Sequence, residues 1–575
     1  MSHADRIARP ALLAAAVVGL VVVLPTLLPD YWLFLATSAI AAAVIAHSVG
    51  IVGGEAGMIV LCPLSFAAAG AWIGCWFATH APGVPFVLQM VCAAAVAAVV
   101  GAVVGLPALR LRGVNLAVFT LGVAAAVSTV LATASFPGSD AYVTVGRPGG
   151  FEDATAYYRF CWIVFLVLAA LTTWASRRRV GAAWRTIRRS ERTAASLGLS
   201  VPRVKLGAFA ASAAIAAVGG VLMAGQLGLI TPRGFEPLAS LSVFALAVMV
   251  GARFPEGALL AGVMTAFVPE LLHRLGIAQD WGNVLFALGA IQALAAGAGV
   301  AEIARRRLRA RRVRRAAARP APAAPARDAP REVRPLRAGG EPVLETAGVR
   351  VRYGQVVALA GVDVAVRPGS VHGLVGPNGS GKTTFIDAVT GFVAAEGDVR
   401  LDGASLRGMA AHRRAAAGLR RTFQQQSASE ELSIAQYLRL AAGGSLDAWM
   451  TAEALEVVGA ADATTRIGEL DVGARRLVEV MGAVAARPAV VLLDEPAAGL
   501  GPEASAELAA HIASIPARYG CAVVVVEHDM QLVHRACDEV TVLDYGSVLA
   551  HGAPQEVLQQ ERVVTAYLGQ EVAVG

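Results

Sequence analysis

Lysine is almost missing from this sequence. Lys205 and Lys382 are its two lysines, although lysine and arginine together number 49 in a chain of 575 residues. Arginine therefore supplies nearly every positive charge. A retained lysine is a hint that a compact, mobile ammonium group matters at that position.

Charged residues of every kind are also few. They make up 16% of the chain, whereas the hydrophobic fraction is 56% and the mean hydropathy is +0.59. This balance excludes a wholly soluble protein, so we expect part of the chain to lie in lipid.

The cysteines show no spacing typical of a metal site. Four of the six fall in apolar segments, and we expect all of them to be small buried apolar residues. They are Cys62, Cys75, Cys92, Cys161, Cys521 and Cys537.

The net charge of +7 could indicate nucleic acid binding. However, the run "RRRLRARRVRR" at 305–315 contains eight arginines, which exceed the whole excess, and it directly follows an apolar segment. Attraction to anionic lipid headgroups explains such a cluster better. We therefore expect membrane lipid as a partner and no nucleic acid.

Long apolar segments concentrate before about residue 304, and about ten of them approach the roughly 20 residues that cross a bilayer. The first could be a signal peptide, but further spans follow and no small-residue cleavage site is obvious, so we expect a retained helix. The approximate spans are 11–29, 32–50, 57–78, 84–109, 114–134, 159–176, 206–230, 238–252, 257–273 and 283–303.

The distribution of basic residues predicts the topology. With the N-terminus inside, ten crossings put Arg110, Arg112 and residues 177–205 and 305–315 on the cytoplasmic side, as the positive-inside rule requires. Residues 135–158, which are poor in basic residues, then lie outside.

A change of composition predicts the domain boundaries. Residues 1–304 form a polytopic α-helical membrane domain, and residues 305–340 are a basic linker rich in alanine, proline and arginine. From residue 341 to 575, short apolar runs alternate with helical patterns, which is typical of an α/β domain with a buried parallel sheet.

The run "VHGLVGPNGSGKTTF" has the P-loop pattern between a strand-like and a helix-like stretch. Its glycines allow backbone N–H groups to surround phosphate oxygens. Lys382 would reach the β- and γ-phosphates of ATP, and Thr383 would bind Mg²⁺. The predicted ATP-binding residues of this loop are Gly376, Pro377, Asn378, Gly379, Ser380, Gly381, Lys382, Thr383 and Thr384.

Two further buried strands end on polar side chains. "AVVLLDEP" places Asp494 where it can hold Mg²⁺ and Glu495 where it can polarise the attacking water. "VVVVEHDM" ends a strand before His528, which can contact the γ-phosphate. We predict Glu495, His528 and Lys382 as the catalytic residues.

These motifs together resemble the nucleotide-binding domain of ABC transporters. The resemblance implies that Gln424 in "RTFQ" is the Q-loop residue of the ATP site, facing Mg²⁺ and the membrane domain, and that Tyr353 in "VRYGQ" stacks on adenine. The closing stretch from "VTVLDYGSVLAHG" is similar to the C-terminal extension of ATPases from the branched-chain amino acid uptake family.

The membrane half resembles the permease of the same family. Residues 190–199 are similar to its cytoplasmic coupling loop, and the alternative is a solvated basic loop. Two glycine-interrupted stretches, "GGEAGMIVLCPLSFAAAGAW" and "VMVGARFPEGALLAGVM", occupy corresponding positions in the two halves. Such stretches are typical of a midplane passage in transporters, and the alternative is ordinary close packing at small residues.

The signature segment departs from the family pattern, which is close to LSGGQ. It reads "LDVGA", with Leu470, Asp471, Val472, Gly473 and Ala474. In the ATP sandwich a signature faces the γ-phosphate of the opposite subunit, so Asp471 would repel it by about 4 kcal/mol at about 4 Å and an effective dielectric of about 20. Alternatively, Asp471 caps the following helix and turns away.

The resemblance implies an ATP-hydrolysing importer component for branched-chain or other hydrophobic amino acids in a bacterial cytoplasmic membrane. It also implies three partners: a second permease, a second ATPase and an extracytoplasmic binding protein. Urea or short amides are the alternative cargo. An ATP-responsive membrane regulator without transport and a fused exporter half compete with the importer interpretation, and a homodimer would place Asp471 at both ATP sites.

Overall fold

The computed structural model describes residues 18–317 and 341–571. It divides into two compact units, Met1–Arg177 with Pro202–Pro320, and Arg178–Val201 with Ala321–Gly575. Residues 178–201, which the sequence puts inside the membrane domain, thus pack with the α/β domain. The boundaries at residues 304 and 341 stay predictions, and residues 318–340 of the predicted linker lie outside the described residues.

The first unit consists of helices. Its α-helices are α1 (Leu24–Leu27), α2 (Asp30–Val49), α3 (Pro63–His80), α4 (Phe86–Val104), α5 (Val114–Ala134), α6 (Ala154–Arg177), α9 (Val201–Leu227), α10 (Pro237–Val250), α11 (Pro255–Arg274), α12 (Trp281–Ala295) and α13 (Val300–Ala317). Two π-helical segments, Gly19–Val23 and Gly50–Glu55, and two 3₁₀ turns, Pro107–Leu109 and Pro232–Phe235, complete it. Between α6 and α9 in the chain, α7 (Arg179–Arg189) and α8 (Glu191–Ser196) belong to the second unit.

Seven helical stretches in the described part of the chain are long and apolar enough to cross a membrane, and α10 is a shorter apolar helix. These helices and α3 occupy nine of the ten predicted spans. The first predicted span lies partly before residue 18, outside the described residues. The seven are Asp30–Glu55, Phe86–Val104, Val114–Ala134, Ala154–Arg177, Val201–Leu227, Pro255–Arg274 and Trp281–Arg309.

Several helix pairs of this unit touch backbone to backbone at glycines. A Cβ atom at Gly220 of α9 would lie 1.8 Å from the carbonyl oxygen of Ala67 in α3. A Cβ atom at Gly262 of α11 would lie 2.0 Å from that of Ala39 in α2. Close approach at small residues is how helices associate in lipid, where burial of apolar surface gives no drive between them.

The two glycine-rich stretches meet just after α2, where a Cβ atom at Gly54 would lie 2.6 Å from the Cβ atom of Arg253. The end of α2 and Gly50 also contact the second stretch. A Cβ atom at Gly50 would lie 2.2 Å from the oxygen of Ala252, and His47 Nδ1 is 3.0 Å from the same oxygen. The other ring nitrogen of His47 is 2.8 Å from Thr172 Oγ1. This contact has the geometry of close packing at small residues, while the midplane passage stays a prediction.

The second unit is built on two sheets. The antiparallel sheet has the order β2-β1-β4-β5, and the larger sheet has the order β10-β9-β3-β8-β7-β6. The strands are β1 (Leu344–Tyr353), β2 (Val356–Val366), β3 (Val371–Val375), β4 (Glu396–Leu401), β5 (Ala404–Ser405), β6 (Leu419–Arg421), β7 (Val490–Asp494), β8 (Ala522–Val526), β9 (Glu539–Asp544) and β10 (Ser547–Gly552).

Helices cover these sheets. They are α14 (Lys382–Val389), α15 (Ala411–Ala416), α16 (Ile434–Ala441), α17 (Ala448–Val458), α18 (Val472–Ala485), α19 (Pro502–Tyr519), α20 (Met530–Ala536), α21 (Pro554–Val557) and α22 (Glu561–Glu571), with a 3₁₀ turn at Ile467–Glu469.

The central strands explain where the functional side chains lie. Every residue of β3, β7 and β8 is buried, as expected for parallel strands that are covered on both faces. These strands run parallel in the order β3, β8, β7. Their carboxyl ends therefore lie side by side at one edge, where the P-loop, Glu495 and His528 follow them.

Five of the six cysteines are buried free thiols, as predicted, but Cys92 is half-buried. It lies in α4, whose side chains at Val87, Val91, Val96 and Val99 are exposed. A residue on such a face stays partly uncovered, so the prediction of full burial was wrong for Cys92.

Candidate functional site

The P-loop connects β3 to α14 through three glycines with positive φ angles. Gly376 has a φ of +148°, and a Cβ atom there would lie 2.2 Å from Leu543 O. Gly381 has a φ of +104°, and its Cβ would lie 2.8 Å from Ala358 O. Side chains are thus excluded at both positions, and the backbone keeps the curve that a phosphate group needs.

Lys382 is buried at the start of α14 and bends over the loop. Its Nζ donates to the carbonyl oxygens of Gly376 at 2.7 Å and Pro377 at 2.9 Å. Burial lowers the pKa of Lys382, while the carboxylates of Glu495 and Asp494 act in the opposite direction. A phosphate that enters the loop would find the ammonium already pointed into it.

Two hydroxyl groups of the loop can receive a ligand. Ser380 Oγ is buried and has no hydrogen-bond partner among the described residues. A buried hydroxyl without a partner is costly unless something occupies the site. Thr383 is exposed in the first turn of α14, so this loop fits a phosphate with a coordinated cation.

Asp494 ends β7 and is buried. Its Oδ2 accepts a hydrogen bond from Arg421 Nη2 at 2.8 Å. Burial raises the pKa of Asp494, and the guanidinium of Arg421 opposes that rise. Asp494 is thus a carboxylate that is shielded from water and lies beside the fixed positive charge of Arg421.

Glu495 follows directly in the left-handed region, with a φ of +44°. For a residue with a Cβ this conformation is uncommon and strained, and strain of this kind clusters at functional sites. Its Oε2 accepts a hydrogen bond from Gln424 Nε2 at 2.6 Å. The two predicted site residues are therefore brought together.

His528 follows β8 with its side chain 64% exposed. The residue before it, Glu527, is fully buried and accepts hydrogen bonds from the backbone N–H groups of Ala497 at 2.8 Å and His528 at 3.2 Å. Burial raises the pKa of Glu527. Glu527 fixes the loops that follow β7 and β8 against each other, a role that sequence reasoning missed because its partners, apart from the adjacent His528, lie in a distant part of the chain.

Tyr353 is the last residue of β1, directly before the turn into β2, and it is 52% exposed. The second strand of this hairpin, β2, passes the P-loop at Ala358. The carbonyl oxygen of Ala358 leaves no room for a Cβ atom at Gly381. The turn between β9 and β10 also supports the loop, since Gly546 N donates to Ser380 O at 2.9 Å. An aromatic face is thus available near the loop, while stacking on adenine stays a prediction.

Asp471 caps the helix that follows it. Its Oδ1 accepts a hydrogen bond from the N–H of Ala474 at 2.8 Å, at the start of α18. Leu470 precedes it, and Val472 and Gly473 form the first turn. This is the geometry of the capping alternative, and it engages the carboxylate within its own helix.

A scan against family models matches three parts of the chain. Residues 31–294 match the branched-chain amino acid transport system permease component. Residues 359–498 match the ABC transporter family, and residues 547–573 match the branched-chain amino acid ATP-binding cassette transporter family.

Curated relatives agree with the two ATP-binding matches. The high-affinity branched-chain amino acid transport ATP-binding protein BraF of Pseudomonas aeruginosa is 34% identical over 251 residues, 40% of this chain and 98% of BraF. The chain belongs to the branched-chain amino acid ABC transporter family. LivG of Escherichia coli, which has the same description, is 32% identical over 252 residues, 40% of this chain and 99% of LivG.

Two further comparisons, like those with BraF and LivG, concern an ATP-binding cassette. The zinc import ATP-binding protein ZnuC of Alkalilimnicola ehrlichii is 35% identical over 247 residues, 42% of this chain and 90% of ZnuC. A crystal structure of the ADP conformation of an ATP-binding cassette is 26% identical, covers 40% of this chain and 99% of its own, and has a TM-score of 0.36.

Family membership confirms the predicted fold class, a helical permease followed by an ABC ATPase. The chain is a multi-pass membrane protein with a cytoplasmic ATPase domain that binds nucleotide, and its ATP hydrolysis is coupled to transport. A regulator without transport and an exporter half are therefore not supported. The assignments of individual site residues stay predictions.

The coupling segment, residues 190–199, contacts the ABC ATPase within the second unit. α8 packs against α15, and the preceding α7 packs against α16. Arg420 Nη1 donates to the carbonyl oxygen of Ser196 at 3.2 Å, and burial lowers the pKa of Arg420 to about 10. Arg188 lies 3.6 Å from Glu431. The segment is thus bound to the ATPase by buried and surface contacts rather than solvated.

The Q-loop of this ABC ATPase is fastened to the signature helix α18. Arg476 donates to the carbonyl oxygens of Phe423 at 2.8 Å and Gln424 at 2.5 Å. Buried Glu479 accepts from the N–H groups of Ser427 at 2.7 Å and Ala428 at 2.8 Å. Sequence reasoning missed this clamp, although charged residues on the apolar face of α18 were a usable signal.

The permease contains a cavity of about 380 Å³ between α2, α9, α10, α11 and α12. No charged side chain is among its lining residues, which include the polar residues Ser38, Gln226, Ser242, Thr265 and Asn283. Pro269, inside α11, also lines it. Because proline has no N–H group, the carbonyl oxygen of Thr265 lacks its usual helical donor.

Proposed function

We propose that this chain is the permease and ATPase component of an importer for branched-chain or other hydrophobic amino acids. The observation that carries the proposal is the combination of two family-specific matches, to the permease at 31–294 and to the C-terminal extension at 547–573. The cassette between them is a weaker guide to cargo, since a zinc importer's ATPase is equally similar.

The permease cavity supports a small cargo without net charge. Its volume of about 380 Å³ exceeds that of a leucine molecule, and its lining is apolar with a few hydroxyl and amide groups. A pocket of this kind binds an apolar body and orients its polar end by a small number of hydrogen bonds. The Thr265 carbonyl oxygen and Asn283 would receive the ammonium group of a zwitterion.

The cavity's position agrees with delivery from outside. Under the predicted topology, α2 starts outside, and the lining residues Ser38 and Ala42 lie in its first two thirds. Gln226 lies at the outer end of α9 and Asn283 at the outer end of α12. A cargo released by an extracytoplasmic binding protein would reach this end first.

The residues of the ATP site support a complete hydrolytic centre. Thr383, Asp494 and Gln424 are the groups that would hold Mg²⁺, which supplies positive charge at the phosphates when it is bound. Lys382 neutralises the β- and γ-phosphates, and Glu495 orients and accepts a proton from the attacking water. His528, exposed at the same edge, contacts the γ-phosphate, and Tyr353 stacks on adenine.

The assembly needs partners beyond this chain. One permease and one ATPase make half of an ABC transporter, so a second permease and a second ATPase complete it, in a bacterial cytoplasmic membrane. Leu470, Val472, Gly473 and Ala474 would serve the partner's ATP, with Asp471 held in its helix cap. The partner's signature would in turn cover Lys382.

Urea or a short amide is the second candidate cargo. The amide side chains of Gln226 and Asn283 in the cavity favour it, because amide groups pair with one another through matched donors and acceptors. These cargoes lack the apolar side chain that the remaining lining would bury.

Uptake into liposomes tests the proposal. The assembled transporter and its binding protein are reconstituted, and ATP-dependent accumulation of labelled leucine, urea and a short amide is measured. We expect leucine to accumulate and the other two to remain at the level of empty vesicles. Accumulation of urea or amide instead would replace the cargo, and accumulation of none would overturn the importer assignment.

A further inference from the structure

A line of alternating charges joins the coupling segment to Asp494. Arg192, in α8, donates through Nη2 to Asp387 Oδ2 at 2.5 Å. The other oxygen of Asp387 accepts a hydrogen bond from Arg421 Nη1, and Arg421 Nη2 donates to Asp494 Oδ2 at 2.8 Å. Asp387 thus accepts from a different arginine at each of its two carboxylate oxygens. Arg421 donates to a different aspartate from each of its two terminal nitrogens.

The line runs from the surface into the ATPase. The side chain of Arg192 is 51% exposed and that of Asp387 is 12% exposed, whereas Arg421 is 2% and Asp494 5% exposed. Charges interact more strongly where water is excluded. A buried ion that loses its partner is left uncompensated. The position of Asp387 therefore depends on Arg192. In the same way, Arg421 depends on Asp387, and Asp494 depends on Arg421.

Two aromatic rings hold the arginines in this line. The guanidinium carbon of Arg421 lies 4.7 Å from the ring centre of Phe423, and that of Arg192 lies 5.0 Å from the ring centre of Phe392. The two rings contact each other edge to face, with centres 5.8 Å apart. Cation–π contacts of this kind add attraction and limit where each guanidinium can move.

We propose that Arg192 is a positioning residue for Asp494, and that it acts through Asp387 and Arg421. Docking of α8 sets the orientation in which the Asp494 carboxylate meets Mg²⁺. This inference rests on the assignment of Asp494 to Mg²⁺ in the proposed function. The coupling segment continues in the chain into α9, so a shift of that helix reaches Asp494 by a route that does not use Gln424.

The same region offers a matched control. Arg189 Nη2 lies 4.0 Å from Glu430 Oε1, and both side chains are about half exposed. This contact also joins the end of α7 to the ATPase, but Asp494 is not among its partners. A change at Arg189 removes a docking contact of the same chemistry while the line to Asp494 stays intact.

Nucleotide binding at varied Mg²⁺ concentration tests the proposal in the full-length chain in nanodiscs. The fluorescence of trinitrophenyl-ATP reports binding in EDTA and across a Mg²⁺ titration. We expect Arg192→Gln to raise the Mg²⁺ concentration for half-maximal binding about fivefold or more, and to leave binding in EDTA unchanged. Arg189→Gln should shift neither value. An equal shift in both variants would mean that Arg192 only docks α8, and would overturn the proposal.

A double-mutant cycle tests the route. In an Asp387→Asn background the line is already cut, so adding Arg192→Gln should cause no further shift in the Mg²⁺ midpoint. Two independent shifts that add would overturn the route through Asp387. If Arg192→Gln does not yield a folded chain, Arg192→Lys keeps the charge but loses the planar guanidinium that lies over the Phe392 ring, and the same cycle is run with it.

The variant Asp494→Asn tests whether Asp494 binds Mg²⁺, separately from the positioning role of Arg192. If Asp494 binds Mg²⁺, this variant removes most of the Mg²⁺ dependence of nucleotide binding. An unchanged dependence would overturn the assignment of Asp494 itself. A lost dependence in Asp494→Asn, together with a wild-type midpoint in Arg192→Gln, would overturn the positioning role alone.

Discussion

Gln424 holds Glu495: the Nε2 of Gln424 donates to Glu495 Oε2 at 2.6 Å. The Q-loop residue and the predicted general base are thus joined by a direct hydrogen bond between their side chains. Gln424 is itself fixed through its backbone oxygen, which accepts from Arg476 at 2.5 Å. Movement of the Q-loop therefore moves the base as well.

Replacing Glu495 by glutamine should stop hydrolysis and keep ATP bound. A general base contributes about 10²–10⁴-fold, so we expect phosphate release to fall by at least about a hundredfold while labelled ATP is retained. Glu503→Gln, in the first turn of α19, is the control and should retain wild-type turnover. Persistent turnover in Glu495→Gln would place hydrolysis at the partner's ATP site or remove Glu495 from the mechanism.

Asp471→Ser separates the two interpretations of the signature. Serine is also a good cap, so we expect an unchanged melting temperature and a change in ATPase rate of less than about threefold. If the carboxylate instead faces phosphate, relief of about 4 kcal/mol of repulsion would raise ATP affinity about a thousandfold. Asp471→Ala, which cannot cap, should lower stability by about 1 kcal/mol.

The cavity residues should control the affinity for cargo. Asn283→Leu removes a polar partner in the first turn of α12, and a lost hydrogen bond to a charged group corresponds to about a tenfold or greater rise in the KM of leucine uptake. Pro269→Ala restores a donor for the Thr265 carbonyl oxygen and should act in the same direction. The dependence of uptake on ATP concentration should not change in either variant, because both residues lie in the permease. A KM equal to wild type in both would remove the cavity from the cargo path.

The close glycine contacts should not tolerate a methyl group. Gly220→Ala would place a Cβ atom 1.8 Å from Ala67 O, so we expect loss of the monodisperse peak in size-exclusion chromatography in detergent. Gly122→Ala, in α5, is the matched control because nothing lies within 4 Å of its Cβ. The control should be neutral or should stabilise the chain by up to about 1 kcal/mol. Equal elution profiles of the two variants would contradict the close contact between Gly220 and Ala67.

The sequence predicted the parts of the ATPase that depend on local pattern. The P-loop needs glycines at fixed spacing, and Asp494 and Glu495 follow a continuous apolar strand, so their positions at one sheet edge could be inferred. The contact between Arg192 and Asp387 could not be inferred. The two residues are 195 positions apart, and no repeating sequence pattern links their segments. Arg420 and Arg421 inside buried β6 were a signal, since buried arginines require partners.

The first residues of the predicted linker are helical. Residues 305–317 continue the helix Val300–Ala317. Alanine and arginine are both good helix formers, and the first proline of the tract comes only at residue 320. Arg306 also pairs with Glu302 one turn earlier, at 2.8 Å. Composition alone did not separate the helical part from the proline-rich part.

The membership of residues 178–201 in the ATPase unit has a consequence for synthesis. The ribosome makes this segment before the last membrane helices and the whole ATPase, so at about 5–20 residues per second its partner is incomplete for on the order of tens of seconds. During that time Trp184 and Ile187, which are buried in the finished unit, have no ATPase surface to cover them. The neighbouring arginines, among them Arg188 and Arg189, would keep α7 on the anionic membrane surface. The lipid would thus act as a temporary chaperone until the ATPase arrives.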